Sequence, residues 1–263
     1  MKPAMVRSIL RDLVILLGVF GLVWLAASLF NYPEKPSLLS VEQEEKMGEA
    51  YMDLILLNPM FRELDNDRVD SAVGVIGMRL LEGLRETEYS YKFTVFNSEM
   101  INAFTVPGGN ILVSSGLIAF CEKPEELAAV MAHEMGHVEE RHVVSRLVKE
   151  LGIGILTSGD QYVLGEVTGL LTSASFDRKQ EEEADRFASG LLEKSGIEPR
   201  TLATLFRRLD EETGNELLDH FEIVSDHPNF HSRIRAALSC QPGEDFSPRP
   251  IDLDWQAVKS GIE

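Results

Sequence analysis

The chain has 263 residues, and 43 Asp and Glu against 25 Lys and Arg give a formal net charge of −18. That balance offers no electrostatic footprint for a polyanion and excludes nucleic acid as a partner. Once a distinctive N-terminus is set aside, the remaining length suits one globular domain.

Lys2, Arg7 and Arg11 precede Leu13–Phe30, an unbroken run without charge. At about 1.5 Å per residue this run makes a helix of roughly 27 Å, near the hydrocarbon thickness of a bilayer. A basic flank before it and an acidic remainder after it keep the N-terminus in the cytoplasm and export the rest. The expected arrangement is a single-pass anchor over residues 1–30 in a bacterial inner membrane, with the remainder facing the periplasm. A cleaved signal peptide, with Ala26 and Ser28 at the small-residue positions, is the alternative and would leave a periplasmic protein. The run is longer than the usual signal core of about 7–15 residues, which favours the anchor. Cys121 and Cys240 are the only cysteines; an oxidising compartment permits them to pair, and buried free thiols fit the sequence equally well.

A short Pro-containing linker, residues 31–38, leads to a domain expected over 39–240 and a C-terminal tail over 241–263. Ser40 and Gln43 have capping-box spacing at the head of a helix beginning at Val41. Val69, Val73, Ile76, Leu80 and Leu84 recur at helical spacing and predict a second helix over Asp67–Leu84. The period then changes: Tyr91–Ser114 is rich in aromatic and β-branched residues, with "PGGN" as a hairpin turn. From Pro124 one long helix is expected through Leu151, with Glu125 and Glu126 at its positive end. Leu151–Phe176 is apolar but interrupted by Gly159, Asp160, Gln161 and Glu166, and reads as two short core helices, with a flexible segment over the site as the alternative. Further helices are expected at Arg178–Lys194 and over residues 199–212, and the Pro-rich tail reads as loop. The fold class is therefore α+β, mostly helical with a small β-sheet.

"HEMGH", His133 to His137, is the H-E-x-x-H pattern. Residues four apart on a helix share a face, so both imidazoles can meet one ion, and Glu134 can reach water there as a general base. Apolar neighbours in "AAVMAHEMGHV" place both histidines partly indoors, where imidazoles without partners are costly. His142, five residues after His137, is the nearest candidate for a third ligand. On an unbroken helix it points about 180° from His133 and cannot share the ion. It reads as a surface histidine or as one behind the ligands.

A carboxylate is the other ligand class for a catalytic zinc with two histidines. "RKQEEEADRFASGLL" offers three. Measured from the mean direction of Ala184, Phe187, Ala188, Leu191 and Leu192, Glu181 lies roughly 50° away, Glu183 roughly 110° and Glu182 roughly 150°. Glu181 is the inward one, and Asp185, four residues on, can orient a histidine Nδ1–H. The helix dipole accounts for Glu182 and Glu183.

"VEQEEKMG", "FTVFNSEMINAFTVPGGNILVSSGLI", "EELAAVMAHEMGHVEERH", "RKQEEEADRFA" and "DHPNFHSRI" occur in this order. The set resembles the membrane-associated gluzincin metallopeptidases, which include HtpX, the CAAX prenyl protease, the mitochondrial Oma-type peptidases and periplasmic BepA. The resemblance runs over about Leu38 to Cys240. It implies a zincin-like domain with one Zn2+ per chain held by His133, His137 and Glu181, with Glu134 as general base and Asp185 behind the ligands. It also implies that Asn102, Ala103 and Phe104 lie on a strand edge bordering the active site, where an extended substrate pairs by strand addition. His227 and Arg233 are implied near the metal. Either stabilises the oxyanion, or His227 occupies the open zinc position at rest, and a helix-start turn with a structural ion pair explains the same residues. Asp177 and Asp226 stand where Ser or Thr is usual in the family.

The expected activity is zinc-dependent endopeptidase cleavage of misfolded or unassembled membrane or envelope polypeptides, that substrate class coming from the resemblance. A chaperone-like module that holds extended polypeptide on its strand edge is the alternative, and the presence of Glu134 argues for the enzyme. A structural zinc domain fits least, since closed sites take four protein ligands.

Overall fold

The structure is a computed structural model describing residues 39–152, 176–213 and 240–262, together with Gly18, Gly169, Arg233, Ile234, Ala237 and Leu238. The chain divides into two units, Met1–Ser37 and Leu38–Glu263. Apart from Gly18, the anchor expected over Leu13–Phe30 lies outside the described residues. Among the described residues no helix is long and apolar enough to cross a membrane. The core helices expected within Leu151–Phe176 also fall almost wholly outside them, as does His227. What is described is an α+β unit, mostly helical, with one three-stranded sheet.

Helix α1 (Val41–Leu57) starts at a reciprocal capping box: the Gln43 amide donates to Ser40 Oγ at 3.2 Å and the Ser40 amide to Gln43 Oε1 at 2.8 Å. After a single 3-10 turn at Pro59–Phe61, α2 (Asp67–Leu84) is capped by the Asn66 side chain, and its Val69, Val73, Ile76 and Leu80 are buried. The sheet consists of β1 (Lys92–Phe96), β2 (Ala103–Val106) and β3 (Asn110–Ser114) in the order β1-β3-β2. Strands β2 and β3 are antiparallel, with Phe104 opposite Leu112, whereas β1 runs parallel to β3. Gly108 and Gly109 turn the hairpin at φ of 78° and 82°, a region that strains any residue with a Cβ. A Cβ on Gly108 would stand 2.5 Å from Glu45 Cα, so the turn lies hard against α1. Among the described residues β1 and β2 are the outer strands of this sheet.

A short helix, α3 (Ser115–Phe120), precedes α4 (Pro124–Glu139), in which every residue from Leu127 to Val138 is buried. A helix covered on all sides is a core element, and α4 packs against β2, α2, α6 (Arg178–Lys194) and α7 (Thr201–Thr213). Its most extensive partner is α6. A Cβ on Gly136 would stand 2.9 Å from both Cα and O of Ala184, so the two backbones nearly touch there.

Two expectations are corrected. The helix from Pro124 does not run to Leu151: it stops at Glu139, Arg141 adopts φ 57°, ψ 31°, and α5 (His142–Leu151) starts in a new direction. Left-handed backbone costs a non-glycine residue about 1–2 kcal/mol, and here charge-assisted hydrogen bonds offset it. The Arg141 guanidinium donates to the Glu44 carboxylate of α1 and to the Leu39 carbonyl just before that helix. Burial holds the Glu44 carboxyl above its ordinary pKa even with Arg141 and Tyr89 as donors. The tail is not all loop either. Helix α8 (Trp255–Lys259) packs on α2, with Trp255 and Val258 buried, while Trp255 Nε1 and Lys259 Nζ donate to the Cys121 carbonyl at 2.9 and 3.1 Å. Cys121 and Cys240 are both free thiols.

The close approach at Gly136 yields a measurable consequence. Gly136→Ala gains about 1 kcal/mol of helix propensity but forces Cβ against backbone that cannot swing aside. The expected net result is a loss of about 1–3 kcal/mol, read as a lower midpoint in urea unfolding; a midpoint equal to or above wild type contradicts the packing described.

Candidate metal centre

Helix α4 stacks His133 and His137 one turn apart, with Nε2 atoms 3.1 Å from each other. Helix α6 brings in the carboxylate. Its start is set by Asp177, whose side chain accepts from the amides of Lys179 (2.9 Å) and Gln180 (3.0 Å) while Gln180 Oε1 accepts from the Asp177 amide. Asp therefore serves as the N-cap where Ser is usual. This start places Glu181 in the first turn, where the helix dipole favours a carboxylate, and Asp185 one turn further on the same face.

Glu181 Oε2 is 3.5 Å from His133 Nε2, and Glu181 Oε1 is 3.7 Å from His137 Nε2. Ligand atoms on a tetrahedral zinc with bonds of about 2.0–2.1 Å stand roughly 3.4 Å apart, and the three edges here bracket that value. All three side chains are buried, and theirs is the only His/Cys/Asp/Glu group among the described residues that converges in this way. The donor set, two imidazoles and one carboxylate, is also the one that suits zinc chemically. Glu181, the inward glutamate by periodicity, is the one that converges with the two histidines, while Glu182 is half-exposed and paired to Arg178.

Asp185 Oδ1 lies 2.9 Å from His133 Nδ1, the position from which a carboxylate orients a ligand ring. Arg233 is 2 % exposed and pairs with two of the site's acids. Its Nε and Nη2 donate to the two oxygens of Asp185 at 2.8 and 2.7 Å, and its Nη1 pairs with Glu181 Oε2 at 2.7 Å. The guanidinium also lies 4.3 Å over the Phe206 ring. An arginine placed in this way holds the site's carboxylates. Burial raises the Asp185 pKa, but Arg233 and then His133 outweigh it and bring it down to about 2. For His133, burial and Arg233 lower the pKa, and Asp185 with Glu181 more than compensate, raising it to about 9.

Glu134 is 1 % exposed and follows His133 directly. Thr105 Oγ1, on β2, stands 2.8 Å from Glu134 Oε2 and 3.1 Å from the Glu134 carbonyl, tying the edge strand to this carboxylate. Sequence reasoning missed Thr105, which looked like any β-branched strand residue. The neighbouring strand residues need correction. Phe104 belongs to an aromatic core with Phe61 and Phe96, ring centroids 5.5 and 5.9 Å away, and its side chain is not available to a substrate. Asn102 and Ala103 are buried as well. Every residue of β2 is buried.

His142 is no surface residue. The bend at Arg141 carries it inward until its Nδ1 is 3.0 Å from His137 Nδ1, with Glu183 Oε2 3.2 Å from its Nε2. Burial, ahead of the opposing Glu183 carboxylate, lowers its pKa. Phe176 stacks on the His137 ring at 3.8 Å between centroids.

Two imidazoles and one carboxylate, with Glu134 directly after the first histidine, form a donor set that could hold zinc with a carboxylate beside it. Sequence comparison narrows the class: residues 72–241 match Peptidase family M48, and the chain belongs to that family. It is 28% identical over 236 residues to the beta-barrel assembly-enhancing protease of Escherichia coli K12, covering 80% of this chain and 48% of that protein. It is 31% identical over 188 residues to the mitochondrial metalloendopeptidase OMA1 of Arabidopsis thaliana, covering 70% and 37%. With the metalloprotease LoiP of Escherichia coli K12 it shares 34% over 148 residues, covering 52% and 57%. The chain spans about half or less of the length of the first two relatives.

Removing the carboxylate behind His133 tests the orienting contact. Asp185→Asn is expected to weaken zinc binding by about 10- to 100-fold while the protein stays folded, as measured by competition with a chromophoric chelator. Wild-type affinity in this variant would show that the Asp185 contact is dispensable.

Proposed function

We propose that the chain is a zinc-dependent endopeptidase. The observation that carries this reading is the buried triangle of His133, His137 and Glu181 with the Glu134 carboxylate on the adjacent residue of the same helix. Zinc bound there supplies Lewis acidity, which makes water a nucleophile near neutral pH and polarises a carbonyl oxygen. The protein's own groups do the rest. His133, His137 and Glu181 hold the ion; Asp185 and Arg233 are positioning residues that keep His133 and Glu181 in place.

Glu134 is the general base. Its carboxylate takes a proton from the attacking water and returns it to the amine nitrogen of the leaving peptide. Thr105 donates to Oε2 and fixes the carboxylate's rotamer, so that the proton-accepting group meets the scissile bond in one orientation. In the arrangement that the family resemblance implies, the substrate lies extended along β2 in the manner of an added strand. Because Thr105 sits on β2, the strand that registers the peptide is the one that holds the base. Backbone pairing does not depend on the peptide's side chains, which suits a broad range of unfolded segments. His227, from the His-Pro segment, is assigned to the same centre through the family resemblance alone.

The N-terminal run and the relatives support the setting. Leu13–Phe30 anchors the chain in a bacterial inner membrane with the catalytic unit in the periplasm. The substrates are misfolded or unassembled envelope or membrane proteins, in a quality-control role. The name of one relative, a beta-barrel assembly-enhancing protease, supports an envelope setting.

The test is Glu134→Gln. The variant is expected to keep about one zinc per chain and to lose cleavage of casein by at least about 100-fold, with product termini from the wild type mapping internal bonds. Cleavage by the Gln variant at the wild-type rate would rule out Glu134 as the base.

A further inference from the structure

We propose that His142 and Glu183 are positioning residues of the metal centre, fixing the tautomer and ring orientation of His137 through an imidazole–imidazole hydrogen bond backed by a carboxylate. The inference rests on the reading of His137 as a ligand through Nε2. A neutral imidazole that presents Nε2 as an electron-pair donor carries its proton on Nδ1. The atom facing His137 Nδ1 is His142 Nδ1, at 3.0 Å. That atom has to be the acceptor, so the proton of the second ring sits on its Nε2. There, at 3.2 Å, stands Glu183 Oε2, and a carboxylate only accepts. The order of protons therefore has one solution: His137 Nδ1–H to His142 Nδ1, and His142 Nε2–H to Glu183.

The fold builds this arrangement with some care. Only the left-handed conformation of Arg141 separates His142 from the helix that carries the ligands, and it brings the ring to the back of His137. The two rings meet at 69° with centroids 5.0 Å apart, edge to face, while Phe176 stacks on His137 and prevents it from rotating. His142 is 4 % exposed. Glu183 stands nearer the surface, where Lys179 Nζ lies 3.4 Å from its other oxygen.

The two ligand histidines are thus supported differently. His133 reaches its carboxylate, Asp185, directly; His137 reaches its own through a second ring. A charged acceptor on Nδ1 raises ligand basicity more than a neutral one, so the neutral ring between His137 and Glu183 orients His137 without adding the full effect of a second adjacent carboxylate.

Zinc-loaded full-length protein labelled with 15N-histidine provides the direct test. Two-bond nitrogen–proton correlations are expected to show His142 protonated on Nε2 only and His137 on Nδ1 only; a His142 ring protonated on Nδ1 overturns the proposal. Zinc dissociation constants provide the second. His142→Leu, similar in volume, is expected to bind zinc about 10- to 100-fold more weakly, and His142→Asn, which restores an acceptor near the position of Nδ1, to recover most of that loss. Wild-type affinity in the Leu variant, or an Asn variant no tighter than Leu, shows that His142 only fills space and overturns the relay. If His142→Leu does not fold, Glu183→Ala, on the solvent side, carries the test. Weaker binding and shifted d–d bands in the cobalt-substituted protein are expected, and unchanged affinity and spectrum overturn its role. A wild-type chain that takes up no zinc sinks the metal reading and this one with it, whereas a zinc-binding wild type matched by all variants sinks the relay alone.

Discussion

The near-contact of two helix backbones at Gly136 and Ala184 is the constraint on which the site depends. His133 and His137 come from α4 and Glu181 and Asp185 from α6, and short side chains converge on one ion only if the helices approach closely. Glycine midway between Glu134 and Val138 lets α6 come in where a side chain would hold it off. The cost of a glycine inside a helix, about 1 kcal/mol, is borne at the one position where the metal site requires small size. Around that contact the remaining helices and the sheet complete the enclosure of α4, which explains why a helix carrying two histidines and a glutamate is buried throughout its middle.

The enclosure makes the site electrostatically demanding. Glu134, Glu181, Asp185 and Arg233 are all nearly inaccessible to solvent. Buried ion pairs are weak contributors to stability, because desolvation consumes most of the Coulombic gain, and apolar replacements of such networks are often neutral or stabilising. Removing one partner alone is expensive, since it strands a charge. Arg233 is therefore best understood as the counter-ion that lets two carboxylates coexist beside the ligand rings. With Asp185 bound through both oxygens and Glu181 through one, the guanidinium leaves the acids little freedom to rotate away.

Features that depend on local chemistry were legible in the sequence. The capping box at Ser40, the apolar spacing of α2, the glycine turn at 108–109 and the inward glutamate all follow from patterns within a few residues. What escaped depends on distant partners. The chain contains neither Gly nor Pro at 140–142, so nothing local announces a bend; its cause is Glu44, 97 residues earlier. Of the two places open to His142, the surface or behind the ligands, the structure shows the second, and the choice follows from that bend. Phe104 lies in a strand buried on both faces, where alternation carries no inward or outward signal, so core and substrate-facing residues look alike. Helix α8 follows a Pro-containing stretch, and only the docking of Trp255 against Cys121 reveals that it belongs to the core.

The bend at Arg141 has a consequence for how the unit assembles. A helical segment acquires its hydrogen bonds from residues four apart, early and without outside help, and His133 and His137 need nothing more to share a face. The turn that follows is a contact of high sequence separation: it closes a long loop between α1 and the end of α4, and such contacts are slow to form. The histidine pair belongs to the local helix, whereas the support behind His137 belongs to the docked fold. A chain in which α1 has not yet seated has the ligands' motif but not their finished surroundings.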